Sequence, residues 1–242
     1  MAETRLLRDA QLKSLEFANI SAVSAARKQL GEPTLSFEFF PPKDDAGEAN
    51  LWNAFEKLLE VSPDYVSVTY GAGGSNRKRS LSVVDRMAKQ VLTIGHLTCV
   101  GASRESTTEI IRRFERAGVG AILALRGDAP KDDPDAQSKG ELKTALDLVD
   151  LVHETTSLEV GVAAFPEVHP ESPDMAHDSK VLALKQAAGA TFAVTQLFFS
   201  VQAYTDLIAS AVAAGVTIPI VPGLMPIANA KQVIRMAELS GA

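Results

Sequence analysis

The strongest constraint on the fold is a regular alternation of two hydrophobic periods. Short apolar runs rich in β-branched residues recur at Leu35–Phe40, Asp64–Thr69, Thr93–Val100, Gly120–Arg126, Glu159–Phe165, Thr191–Phe198 and Thr217–Val221. Several are nearly continuous in apolar residues, the pattern of strands buried on both faces of a parallel sheet. Between them the period changes to that of helices. Leu51, Phe55, Leu58 and Leu59 share one helical face. So do Ile110, Ile111 and Phe114, then Leu142, Leu146 and Val149, then Tyr204, Leu207, Ile208 and Ala211. Gly118, Gly189 and Gly215 stand where helices should stop.

Strand and helix alternate about every 26–39 residues, the βαβ signature. About seven such units favour a barrel over an open doubly wound sheet, and no Gly-x-Gly-x-x-Gly follows the first strand. The expected fold is a (β/α)8 TIM-type barrel, one catalytic domain over residues 1–242. Residues 1–30 should form an extra leading helix with Leu6, Leu7, Leu12 and Leu15 as its apolar positions. After the seventh strand come one helix, Ala230–Leu239, and the end of the chain. The eighth strand is missing from the pattern. Either the C-terminal end is truncated or another segment or subunit closes the gap.

Composition narrows the function. Hydrophobic residues make up 46% and charged residues 22%, enough for a sizeable core. The net charge of -6 disfavours a nucleic-acid binder. The single cysteine, Cys99, excludes an intrachain disulfide and a cysteine-based zinc site, and reads as a buried strand thiol. Arg5, Arg8, Asp9, Lys13 and Glu16 interrupt any signal peptide, and no run nears the roughly 18 apolar residues of a membrane helix. A cytoplasmic enzyme with no membrane partner is expected.

In such a barrel the working residues lie where strands end. Glu38, set among Phe37, Phe39 and Phe40, is the sharpest candidate. Desolvation there would keep its carboxyl protonated and fit it for general-acid work, whereas the alternative is a structural bond inside the barrel. The Gly71–Ser75 loop offers backbone N–H groups to a phosphate. Arg126 and Asp128 flank Gly127 and suit either a site or an ion pair closing the strand end. The polar stretch Asp128–Gly140, with Pro130 and Pro134, suits a mobile lid. Glu167 and His169 would share a metal only on a regular strand, and Pro166 and Pro170 argue for a loop, so no metal is expected. His153, on a predicted helix, reads as a surface histidine.

Taken together, seven strand-end segments resemble the methylenetetrahydrofolate reductase family: Ser36–Pro42, Val66–Ala72, His96–Cys99, Leu125–Asp128, Ala164–Glu171, Ala188–Phe199 and Ile220–Pro226. They follow the family's order along most of the chain. The resemblance implies a (β/α)8 barrel carrying FAD and reducing 5,10-methylenetetrahydrofolate to 5-methyltetrahydrofolate with NADH or NADPH. It implies that Glu38 is the general acid that helps open the folate's five-membered ring, and that Asp128 lies near pterin and flavin. Glu38, Asp128, Gln196 and Gln232 match substrate-binding positions. Thr69, Tyr70, Ala72, His96, Arg126, Gly127, Asp128, Ala145, Phe165, His169, Asp178 and Lys185 match flavin positions. Of these, Arg126 and Lys185 suit the pyrophosphate.

The chain departs from the family at Phe165, where many members have Tyr, and at Val181 and Leu184, where well-known bacterial enzymes have Asn and Arg. Met236 replaces a Phe that stacks on the nicotinamide. Val181 and Leu184 keep open a family reductase that binds flavin weakly or not at all, and the missing eighth strand keeps open a non-enzymatic folate- or flavin-binding subunit that needs a partner. The family also suggests a homo-oligomer.

Overall fold

The computed structural model describes residues 19–70, 74–129, 133, 135–226, 229–231 and 234. The elements alternate as expected. They are α1 (Ile20–Leu30), β1 (Ser36–Phe39), α2 (Asp45–Leu59), β2 (Tyr65–Val68), α3 (Gly74–Met87), β3 (Thr93–Thr98), α4 (Arg104–Ala117) and β4 (Ala121–Leu125). Then come α5 (Ala136–Lys139), α6 (Ala145–Thr155), β5 (Glu159–Ala164), α7 (Met175–Ala187), β6 (Phe192–Thr195), α8 (Val201–Ala213) and β7 (Ile220–Val221). The seven strands follow sequence order in one sheet, and β1–β2, β2–β3, β5–β6 and β6–β7 pair in parallel. This is an α/β fold of the TIM-barrel type with a helix ahead of the first strand. Two compact units divide the chain: Met1–Gly95 with Ala117–Ala121, and His96–Arg116 with Ile122–Ala242.

In the first unit, Asn19 caps α1 by accepting the Ala22 N–H at 2.9 Å, and Gly31 ends the helix at φ 68°. Asp64 then organises the strand starts. Its carboxylate accepts the Leu35 N–H and Arg27 Nε, both at 2.8 Å. Helix α2 is capped by Asp44 and buries Leu51 and Phe55. The Phe55 ring meets Phe39 of β1 edge-on at 5.6 Å. That contact fixes the faces of β1: Phe39 points to the helix layer, and Glu38 points the other way. Helix α3, not anticipated from the sequence, buries Val83, Val84 and Met87.

In the second unit, α4 buries Thr107, Ile110, Ile111 and Phe114, a stripe at i, i+3, i+4 and i+7. Strand β4 is buried along Ala121–Ala124, which explains its unbroken apolar sequence. Helix α6 starts later than the pattern suggested. Thr144 and Asp147 form a capping box, so Leu142 precedes the helix although it is buried. Strand β7 is shorter than the run Thr217–Val221, because the N–H groups of Thr217 and Ile218 turn aside to Gln186 Oε1 at 2.6 and 3.0 Å. Strand β6 stops at Thr195, and Phe198 instead stacks on Tyr204 of α8 at 5.4 Å.

The lid expected at Asp128–Gly140 is pinned at its far end. Residues 136–139 form a helical turn, Ala136 is buried, and Lys143 Nζ bonds the Ser138 and Gly140 carbonyls at 2.7 and 2.5 Å. Residues 130–132 and 134 lie outside the described residues, as do 1–18, most of the expected helix Ala230–Leu239, and Met236. No helix among the described residues is long and apolar enough to cross a membrane.

Candidate functional site

Glu38 lies on β1 opposite Ser67 of β2. The reason offered by the sequence needs correction. Phe37 and Phe39 flank Glu38 in the chain, but on a strand they project from the opposite face, and Phe40 is exposed. Glu38 is exposed at its edge, yet the protein packed around its carboxyl partly desolvates it. Desolvation holds its carboxyl above the ordinary carboxylate range. Among the described residues it has no hydrogen-bond or ion-pair partner, so the structural bond weighed as its alternative role is absent there.

After β2, Thr69 closes the β1 end by donating from N and Oγ1 to the Phe39 carbonyl at 3.0 and 3.1 Å. Tyr70 is half-buried, and Ala72 lies outside the described residues. The Gly71–Ser75 loop is largely outside them too, and α3 begins at Gly74.

The second unit holds a cavity of about 680 Å³, within the range of small-molecule sites. Among its lining are Arg126, Gly127, Asp128, Ala145, Phe165, His169, Asp178, Lys185 and Gln196. These candidates lie up to 70 residues apart and come from the ends of β4, β5 and β6 and from α6 and α7. Val181 and Leu184 of α7 add an apolar wall. Gln232 lies outside the described residues.

Local structure explains each placement. Gly127 takes φ 81°, and a Cβ there would sit 2.8 Å from Thr98 Cβ, so only glycine lets β4 turn into the cavity wall. Cys99 is buried beneath it, as expected, with Sγ near the Arg126 and Thr144 carbonyls at 3.6 and 3.4 Å. Burial pushes this thiol up to about 11, so it is inert.

After β5 the chain turns sharply. Glu167 and His169 are therefore not strand neighbours, and the loop signalled by Pro166 and Pro170 is what forms. Val168 sits at φ 67°, a strained conformation for a β-branched residue. Asp178 restrains the loop by accepting the His169 N–H at 2.7 Å and the Ser172 hydroxyl. The Phe165 and His169 rings meet edge-on at 4.7 Å. His153, by contrast, is exposed on α6.

The charges are unevenly satisfied. Lys185 is desolvated, and that lowers its pKa, although Asp178 opposes the effect. Among the described residues its ammonium makes one long bond, 3.3 Å to the Ala163 carbonyl, and so keeps donors for an anion. Among the described residues Arg126 forms no ion pair with Asp128, which is exposed and only adds to the field around the guanidinium. It forms a two-pronged bond with Glu171, Nη1–Oε2 2.5 Å and Nη2–Oε1 2.9 Å. Sequence reasoning missed Glu171, because nothing local marks a partner 45 residues away.

His96 is buried and lies outside the cavity lining. Burial drops its pKa to about 4, so the ring is neutral at physiological pH. The folded pKa lies below the unfolded value near 6.5. Stability should therefore be full above about pH 6.5 and fall by about 3 kcal/mol as pH drops to about 4. Urea titrations at several pH values should show this loss in the native protein and a flatter profile in His96→Gln.

Comparison with known proteins identifies the family. The family model described as methylenetetrahydrofolate reductase matches residues 24–242. The chain belongs to the methylenetetrahydrofolate reductase family. Its relatives include the 5,10-methylenetetrahydrofolate reductase of Salmonella typhimurium, 39% identical over 212 residues, covering 87% of this chain and 70% of the relative. The Escherichia coli enzyme of the same name is 38% identical over 214 residues, with the same coverage. Among solved structures, a Clostridium thermocellum protein that binds two copies of 5-methyl-5,6,7,8-tetrahydrofolic acid superposes with a TM-score of 0.57 at 16% identity, over 90% of this chain and 75% of that one. At that identity the likeness is one of fold.

Proposed function

We propose that this chain is a methylenetetrahydrofolate reductase that uses FAD and NADH or NADPH to reduce 5,10-methylenetetrahydrofolate. The observation that carries the reading is Glu38, a strand-end acid with no partner among the described residues and a raised pKa, in a chain of this family. A carboxyl so shifted holds its proton to higher pH than an ordinary one and can give it to a substrate atom. Here the proton passes from the Glu38 carboxyl to a nitrogen of the folate's five-membered ring. The carbon–nitrogen bond then opens to leave an iminium at the one-carbon unit. Asp128 would serve as a second carboxylate toward folate and flavin, and Gln196 and Gln232 as folate contacts, as family likeness suggests.

The cavity residues fit a flavin dinucleotide. Lys185 has spare donors and too little solvation, and the Arg126 guanidinium matches a phosphate edge. Gly127, Ala145, Phe165 and His169 would line the cofactor, and Asp178 would hold the His169 loop in place. Thr69, Tyr70, Ala72 and His96 complete the set carried by family likeness. When bound, FAD supplies the two-electron transfer from nicotinamide to folate. The apolar Val181 and Leu184 give its dinucleotide part fewer polar contacts, which favours modest affinity. A homo-oligomer in the cytoplasm is the matching expectation.

The test is anaerobic oxidation of NADH or NADPH by the purified protein with FAD and the folate. Folate-dependent oxidation with production of 5-methyltetrahydrofolate is expected, and its absence with FAD bound would sink the reading. Lys185→Met separates binding from folding. It should keep or raise Tm, because it removes a desolvated charge, and weaken FAD by about ten- to a hundred-fold. Fluorescence titration and a thermal melt read the two effects separately.

A further inference from the structure

The guanidinium that the flavin reading needs is already occupied by a carboxylate of the same chain. Arg126 Nη1 and Nη2 meet Glu171 Oε2 and Oε1 at 2.5 and 2.9 Å, the planar match that a phosphate also makes. Both residues line the cavity. The Glu171 side chain is 64% exposed and that of Arg126 26%, so little packing holds the carboxylate in place. The backbone beneath it is anchored. His169 N–H bonds Asp178 at 2.7 Å, the Ser172 hydroxyl bonds the same carboxylate, and Glu171 N–H donates to His169 Nδ1 at 3.1 Å. The side chain can therefore leave Arg126 without the loop moving.

We propose that Glu171 is an internal stand-in for phosphate: it holds Arg126 until a diphosphate-bearing ligand displaces it, and so sets the affinity of the cavity for that ligand. The inference rests on reading the cavity as a dinucleotide site. An exposed ion pair contributes little, so displacement weakens binding by a factor of about 1.5 to five and does not block it. The pair keeps Arg126 extended in the orientation an entering phosphate meets. Its influence is electrostatic and must fade with salt.

Calorimetric titration of the full chain with FAD, riboflavin and inorganic pyrophosphate tests this. Glu171→Gln should bind FAD and pyrophosphate about 1.5- to five-fold more tightly at low salt and leave riboflavin, which lacks the diphosphate, unchanged. The gain should shrink toward one at about 0.5 M salt and vanish in an Arg126→Gln background. Equal or weaker binding of pyrophosphate by Glu171→Gln would overturn the proposal. So would a gain shared by riboflavin, or one that persists without Arg126. If neither protein binds FAD, the dinucleotide reading fails, and the pyrophosphate comparison still decides the role of Glu171. Glu171→Ala serves as a second variant and should behave alike.

Discussion

Glu38→Gln should lower folate reduction by about 10²- to 10⁴-fold, the contribution of a positioned general acid, while reduction of bound FAD by NADH or NADPH survives. The substitution keeps size and hydrogen bonding but removes the proton. Stopped-flow separation of the two half-reactions checks it. Loss of both together, with fold and flavin intact, would contradict the acid role. The pH dependence has a definite sign. Glu38 has a raised folded pKa, so the native rate should fall as pH rises through that value, where the proton leaves. The same shift means that the charged form is disfavoured in the folded state. Stability tied to Glu38 is present below the unfolded pKa near 4.5 and declines as pH rises through the folded one. Above that range Glu38→Gln should melt at a slightly higher temperature than the native protein while losing turnover, a trade of stability for function.

Gly161→Ala should be the most damaging single-methyl addition in the second unit. Gly161 lies in β5 opposite Phe192 of β6. A Cβ on it would stand 2.3 Å from two atoms of the Phe192 ring, which is itself completely buried. Neither backbone nor ring can yield the missing ångström without disturbing the parallel pair. Overpacking of this kind costs about 3 kcal/mol, a drop in Tm of about 6–12 °C for a chain of this size. Phe192→Leu alone leaves a gap and should also destabilise. The two together should cost clearly less than the sum of the singles, because the smaller side chain clears the added methyl. Simple additivity in thermal melts would show that the clash is relieved elsewhere.

Much of the architecture was legible because its signals are local. The stripe Ile110, Ile111 and Phe114 declares a helix by its spacing, and α4 buries all three. The unbroken run before Arg126 declares a strand covered on both faces, and β4 is so buried. The stop signals at Gly118 and Gly215 correspond to φ values of 80° and 86°. Misreadings arose where a side chain elsewhere decided the outcome. Thr217 and Ile218 leave the sheet for the Gln186 amide. Leu142 is buried but lies outside the helix, because the Thr144–Asp147 box starts α6 later.

The site divides in the same way. The sequence by itself determined that strands and helices alternate, that strand ends carry the chemistry-bearing residues, and that Glu38 is an acid at one of those ends. These follow from periodicity and residue type. Only the tertiary structure decided what surrounds each group. It turned Phe37 and Phe39 away from Glu38, so that desolvation comes from the folded protein around the acid and not from its neighbours in the chain. It gave Arg126 to Glu171 in place of Asp128 and left Lys185 with one long bond. Charge pairing and desolvation depend on distances through space between residues far apart in the chain, and no local pattern encodes those distances.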